Sequence, residues 1–148
     1  MSNKEKMATD YTDRTDKPIL HHELTEKIIG VFYDVYNELG HGFLESVYET
    51  AMAIALNKKN MRVEQQVEIP VWFRGILIGN FYADLLIEGA VIVELKAVRS
   101  IDPSHEAQLL HYLRATEIEL GLLLNFGVRP EIKRKIYDNP RKKSVSSV

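Results

Sequence analysis

Between Glu119 and Phe126 the chain reads ELGLLLNF, an almost continuous apolar run. A strand needs such a run when both its faces are covered, and strands of that kind usually lie parallel to a neighbour reached through a helical crossover. The residues before it supply the crossover. Asp102-Pro103 joins a capping carboxylate to proline at the first helical position, and Ala107, Leu110 and Leu113 are the expected buried stripe of the helix. The chain is therefore directed to a sheet with a parallel pair and helices packed against it.

The remaining elements follow from periodicity. Apolar residues recur at Leu24, Ile28, Val31, Phe32, Val35, Tyr36 and Leu39, the spacing of an amphipathic helix that Gly40 would end. The pattern resumes at Leu44, Val47, Tyr48, Ala51 and Ala55 and runs to the polar NKKN at 57–60, a second helix. The period then changes to two. Val63, Gln65, Val67, Ile69, Val71 and Phe73 alternate with mostly polar residues, as in a strand with one solvated face, and Pro70 points to an edge or a bulge. Arg74-Gly75 turns the chain into a second strand at about 77–87, and Glu88-Gly89-Ala90 turns it into a third, Val91 to Val98. EIKRKIY at 131–137 fits a short edge strand. The expected order is α-α-β-β-β-α-β with one further strand, an α/β (α+β) mixed sheet.

With 148 residues the chain fits one domain, and 45% hydrophobic and 27% charged residues are typical of a folded globular protein. A formal charge of −2 leaves no global positive field for nucleic acid, so such a function must rest on a local patch. The absence of cysteine excludes disulfides and thiolate metal sites. Residues 1–20 read as a flexible arm without a signal-peptide core, 21–137 as the folded domain and 138–148, with RKKSVSSV, as a disordered tail. No apolar run approaches membrane-spanning length, and a cytoplasmic protein is expected.

The second and third strands carry charge where buried strands usually have none. Glu94 and Lys96 share one face of the third strand with Ile92 and Val98, and Asp84 lies with Tyr82 and Leu86 on the second. A two-residue loop at Gly89-Ala90 would set Asp84 opposite Leu95, on the wrong side, whereas a three-residue loop, Glu88 to Ala90, would set it opposite Glu94. Glycine suits the longer loop. Two carboxylates facing one another in apolar surroundings force a pKa up or bring in a partner, and a divalent cation removes the conflict. Oxygen donors without thiolates or clustered histidines favour Mg2+ or Mn2+. A buried Asp-Lys-Glu ion network is the other reading of the same residues.

GFLESVY, residues 42–48, resembles the G-x-x-E-x-x-Y signature of the GxxExxY family. Asp84, then Glu94-Leu95-Lys96, then Gln108 with Tyr112, resemble the motif series of the PD-(D/E)XK nuclease superfamily to which that family belongs. The resemblance spans about residues 22–137, and Ala83 stands where the superfamily name has proline. It implies a restriction-endonuclease-like αβββαβ core. It also implies that Asp84, Glu94 and the backbone carbonyl of Leu95 ligate the metal, that Lys96 acts on the attacking water, and that Glu45 is an additional acidic residue of the site and of its metal ligands. Gln108 and Tyr112, one turn apart on the third helix, are directed by it toward the metal pocket.

Each of these residues has a structural reading as well. With Gly42 as N-cap, Glu45 would stand at the third helical position, where glutamate caps backbone groups. Gln108 and Tyr112 would suit the edge of a helix interface. The five histidines form no convincing site, although the GHG segment at His41 flanks Glu45. Residues 129–143 hold seven basic side chains against Glu131 and Asp138, which suits phosphate tracking or the protection of an edge strand. The leading expectation is a metal-dependent phosphodiesterase acting on DNA or RNA. The alternative is a non-catalytic nucleic-acid or protein-binding module on the same fold, and an exposed sheet edge offers a surface for a homodimer.

Overall fold

The computed structural model describes residues 21–138. The expected arm, and all of the expected tail but Asp138, lie outside the described residues. Helices α1 (His22–Leu39) and α2 (Glu45–Lys58) precede the meander β1 (Val63–Phe73), β2 (Ile76–Ile87) and β3 (Val91–Lys96). Helix α3 (Pro103–Ala115) leads to β4 (Leu120–Phe126) and β5 (Pro130–Ile136). The five strands lie side by side in chain order, with β3 and β4 parallel and the other neighbours antiparallel. This is the expected mixed sheet, with β5 as the additional edge strand.

The sheet is covered on both faces, which is why all seven residues of β4 are buried. On one side Ile28, Phe32 and Val35 of α1 and Tyr48, Met52 and Leu56 of α2 pack on Leu85, Val93, Leu95 and the even-numbered residues of β4. On the other side Leu109, Tyr112 and Leu113 of α3 pack on Ile69, Ala83, Ile92 and Leu123. The packing stripe of α3 thus corrects the expected one: Ala107 is exposed and Leu110 only half-buried. Gly121 explains the close approach, since a Cβ there would lie 2.6 Å from Leu109 Cδ1. In α2, Leu44 and Val47 are likewise exposed, and the buried face runs through Tyr48, Met52, Ala53 and Leu56.

The β1–β2 pair departs from simple alternation. Val63 packs on the α1–α2 side and Ile69 on the α3 side, although they stand six positions apart and regular pleating would put both on one face. Leu85 and Ala83 of β2 divide in the same way. The switch falls where Gln66 takes a left-handed φ of 51° opposite Asp84, leaving the register on either side intact. Pro70 stands on the sheet's edge strand, and a register shift follows at Val71/Trp72.

Candidate metal centre

The β2–β3 turn decides whether the two carboxylates meet. Ile87 pairs with Val91 and Leu85 with Val93, so the loop is Glu88-Gly89-Ala90, with left-handed φ values of 54° at Glu88 and 61° at Gly89. The next step outward sets Asp84 against Glu94. There the strands part, and side chains replace the backbone ladder: Asp84 N–H donates to Glu94 Oε1 at 3.2 Å, and Leu95 N–H donates to Asp84 Oδ2 at 2.8 Å.

Glu94 is only 5% exposed. Burial, and then the neighbouring Asp84 charge, push its carboxyl up to about 9. Lys96 stands two residues on, on the same face of β3, half-buried. Among the described residues, no ion pair joins it to either carboxylate. With no cation paired to it, Glu94 keeps its proton, and a divalent cation would take that proton's place. The donors are carboxylate oxygens without sulfur, as a hard cation takes, but among the described residues no cluster of three or more acidic or histidine side chains is placed to hold a metal. Asp84 and Glu94 would hold the ion, leaving room for waters and backbone oxygen.

Glu45 occupies the first position of α2, with Leu44 as N-cap, so the expected capping role at the third position is not what the structure contains. Its Oε1 instead accepts from Ala97 N–H at 3.3 Å, tying the start of α2 to the residue after Lys96. The G-x-x-E-x-x-Y segment divides its work accordingly. Gly42 adopts φ 114°, a conformation that side chains resist. Tyr48 is fully buried and stacks on Phe126 at 4.1 Å, while its hydroxyl donates to Gly40 O at 2.6 Å and accepts from Phe43 N–H at 3.2 Å. Glycine and tyrosine fix the loop, and the glutamate faces the end of β3.

Tyr112 belongs beside the pair: its phenol is pushed up to about 12 by burial and by the charges of Glu94 and Asp84. It is a neutral donor at any ordinary pH. Gln108, one turn earlier, lines an apolar groove of about 760 Å³ between α3 and the β1–β2 hairpin, with Pro70, Trp72, Phe81 and Tyr112. His41 and Gly42 line a separate open cleft of about 1160 Å³ with Ala97, Arg99 and Arg129. That cleft adjoins the Ala97–Glu45 contact.

Four further residues shape the site. Gln66 Nε2 donates to Asp84 Oδ1 at 3.3 Å and to Glu49 Oε1, while Gln65 Nε2 donates to Glu49 Oε2 at 3.0 Å. Glu49, one turn beyond Glu45, is thereby occupied by two amides. Asn125 is fully buried; its amide accepts from Val98 N–H at 3.0 Å and donates to Val98 O at 2.9 Å and to Glu131 at 2.9 Å, fixing the chain beyond Lys96. A lone amide in an otherwise apolar run was the sequence signal for Asn125. In β5, Lys135 forms a 2.8 Å ion pair with Glu106 of α3, so part of the basic run serves packing.

The sequence model of the PD-(D/E)XK nuclease superfamily matches residues 22–135. The chain belongs to that superfamily. The fold agrees with a solved structure described as that of SSO0001, at 20% identity and a TM-score of 0.50, covering 70% of this chain and 56% of that one. An alkaline exonuclease, LHK-Exo from Laribacter hongkongensis, is similar at 11% identity and a TM-score of 0.46, covering 69% and 60%. The chain thus spans less than two thirds of either structure. No curated protein matches it. No helix among the described residues is long and apolar enough to cross a membrane.

Proposed function

We propose that this chain, read as a member of the GxxExxY family, is an Mg2+- or Mn2+-dependent phosphodiesterase that cuts DNA or RNA in the cytoplasm. The observation that carries this reading is the Asp84–Glu94 pair, a half-buried and a buried carboxylate joined beside Lys96 with no ion pair to it, in a chain of a nuclease superfamily. Asp84, Glu94 and the Leu95 carbonyl would hold the divalent cation, which when bound would supply Lewis acidity and make an attacking water more acidic.

The chain's own groups do the rest. Lys96 orients the attacking water and stabilises charge developing on the phosphoryl oxygens. Glu45 steadies the Lys96–Ala97 segment through Ala97 N–H. Tyr112, protonated, donates toward the carboxylates or a phosphate oxygen, and Gln108 lines the approach. Arg99 and Arg129 in the neighbouring cleft give the strand's phosphates a place to lie.

Calorimetric titration with Mn2+ in the presence of a non-cleavable oligonucleotide tests the centre. Binding by the wild type and its loss in Asp84→Asn is the expected result, followed by cleavage of single- or double-stranded DNA or RNA in a substrate screen. Cleavage that persists in both Asp84→Ala and Glu94→Ala overturns the assignment. Oligonucleotide binding without Mn2+ uptake makes the chain a non-catalytic binding module instead.

A further inference from the structure

The β1–β2 hairpin is longer than the sheet needs. β3 pairs with β2 only at Leu85, Leu86 and Ile87, so from Ile76 to Ala83 the second edge of β2 has no strand beside it among the described residues. What extends beyond is a two-stranded ribbon closed by the Arg74-Gly75 turn, with φ 51° and 78°. A lone ribbon of this kind is marginal in water.

Its surface is unusual for a free arm. Trp72 (62% exposed), Phe73, Ile76 (66%), Leu77, Ile78 (62%), Phe81 and Tyr82 are all exposed, on both faces of the ribbon. Of these, Ile76, Leu77, Ile78, Phe81 and Tyr82 stand on β2 beside its free edge, and roughly half of about 200 Å² on each gives on the order of 500 Å² of apolar surface, divided between the two faces. Brought together from two copies this is on the order of 1,000 Å², about the lower limit of a specific interface. From Ile69 to Ala83 the only charge is Arg74, itself 5.0 Å from the ring of Phe73. Phosphate tracking needs several cations, so nucleic acid is a poor occupant. The β2 edge also lacks the lysines and prolines that ordinarily keep free edges apart.

We propose that this hairpin is the seat of a two-fold dimer of the chain, in which the free edge of β2 across Ile76–Tyr82 pairs antiparallel with the same edge of a second copy. An antiparallel strand is self-complementary about such an axis, as an isologous interface requires. Centred on Gly79, the pairing sets Ile76 against Tyr82 and Leu77 against Phe81, aliphatic on aromatic. It also places the two Asp84 residues at opposite ends of one shared ribbon, on the order of 30 Å apart at about 3.3 Å per residue. The inference does not depend on the nuclease reading: an inactive chain would dimerise equally.

Sedimentation equilibrium of the full chain should show a dimer at high micromolar concentration that dissociates on dilution. The double variant Leu77→Lys/Ile78→Lys, exposed at both positions, should be monomeric with unchanged far-UV circular dichroism. Should that variant fail to fold, amide hydrogen exchange on the wild type decides: protection across Ile76–Tyr82 should rise with protein concentration. A monomer at every concentration overturns the proposal, including one that binds lipid vesicles or oligonucleotides through the hairpin. So does a dimer that survives the lysines, or one whose hairpin exchange does not respond.

Discussion

Among the described residues Lys96 is in no ion pair, so replacing it leaves no partner charge stranded. Lys96→Met should therefore keep the fold and Mn2+ binding while lowering cleavage roughly 100-fold, the scale of losing one transition-state donor. A steady-state cleavage assay beside calorimetry separates the two effects. Glu94 predicts a pH dependence whose sign follows from its raised pKa. The folded protein holds this proton up to about 9, whereas the ordinary value is 4.5. The corresponding stability is complete below pH 4.5 and is lost as the pH rises through the folded value near 9. Thermal unfolding of metal-free protein should show this decline, and Glu94→Gln should flatten it. Mn2+ competes with the same proton, so its affinity should rise with pH over that window.

At the scale of elements, the segment leading into α2 and the chain beyond β3 are both held by side chains from elsewhere. Tyr48→Phe removes a hydroxyl that bridges Gly40 and Phe43 while keeping the ring on Phe126. It should cost about 1–3 kcal/mol in chemical denaturation, as for buried groups left unpaired. Activity should fall as well, because that loop sets Glu45. The sequence contained much of this architecture. The three-residue β2–β3 loop followed from glycine and from the need to bring Asp84 to Glu94, and the buried β4 from its unbroken apolar run. The face switch at Gln66 was not legible, because a left-handed glutamine has no residue-type signature as glycine does. The α3 stripe was displaced for a related reason: several apolar residues lie around that helix, and only its approach to Gly121 selects Leu109, Tyr112 and Leu113. Gln65, Gln66 and Glu49 read as ordinary surface polarity until their contacts with one another and with Asp84 are in view.

For the whole molecule, a ligand that binds only the folded form raises the melting temperature by mass action. Saturating Mn2+ should therefore stabilise the wild type, and should leave Asp84→Asn/Glu94→Gln unmoved in the same thermal scan. The full burial of β4 has a different consequence, for the chain during synthesis. Its seven residues lie parallel to β3, and they find cover only once α1, α2 and α3 have all docked. Until then LGLLLNF is an uncharged, strand-forming segment open to other chains, of the sort that gathers nascent polypeptides into aggregates. Of its flanks, Glu119 precedes it and Arg129 and Lys133–Lys135 follow it, so the charges that frame this strand double as its gatekeepers on the way to the native state.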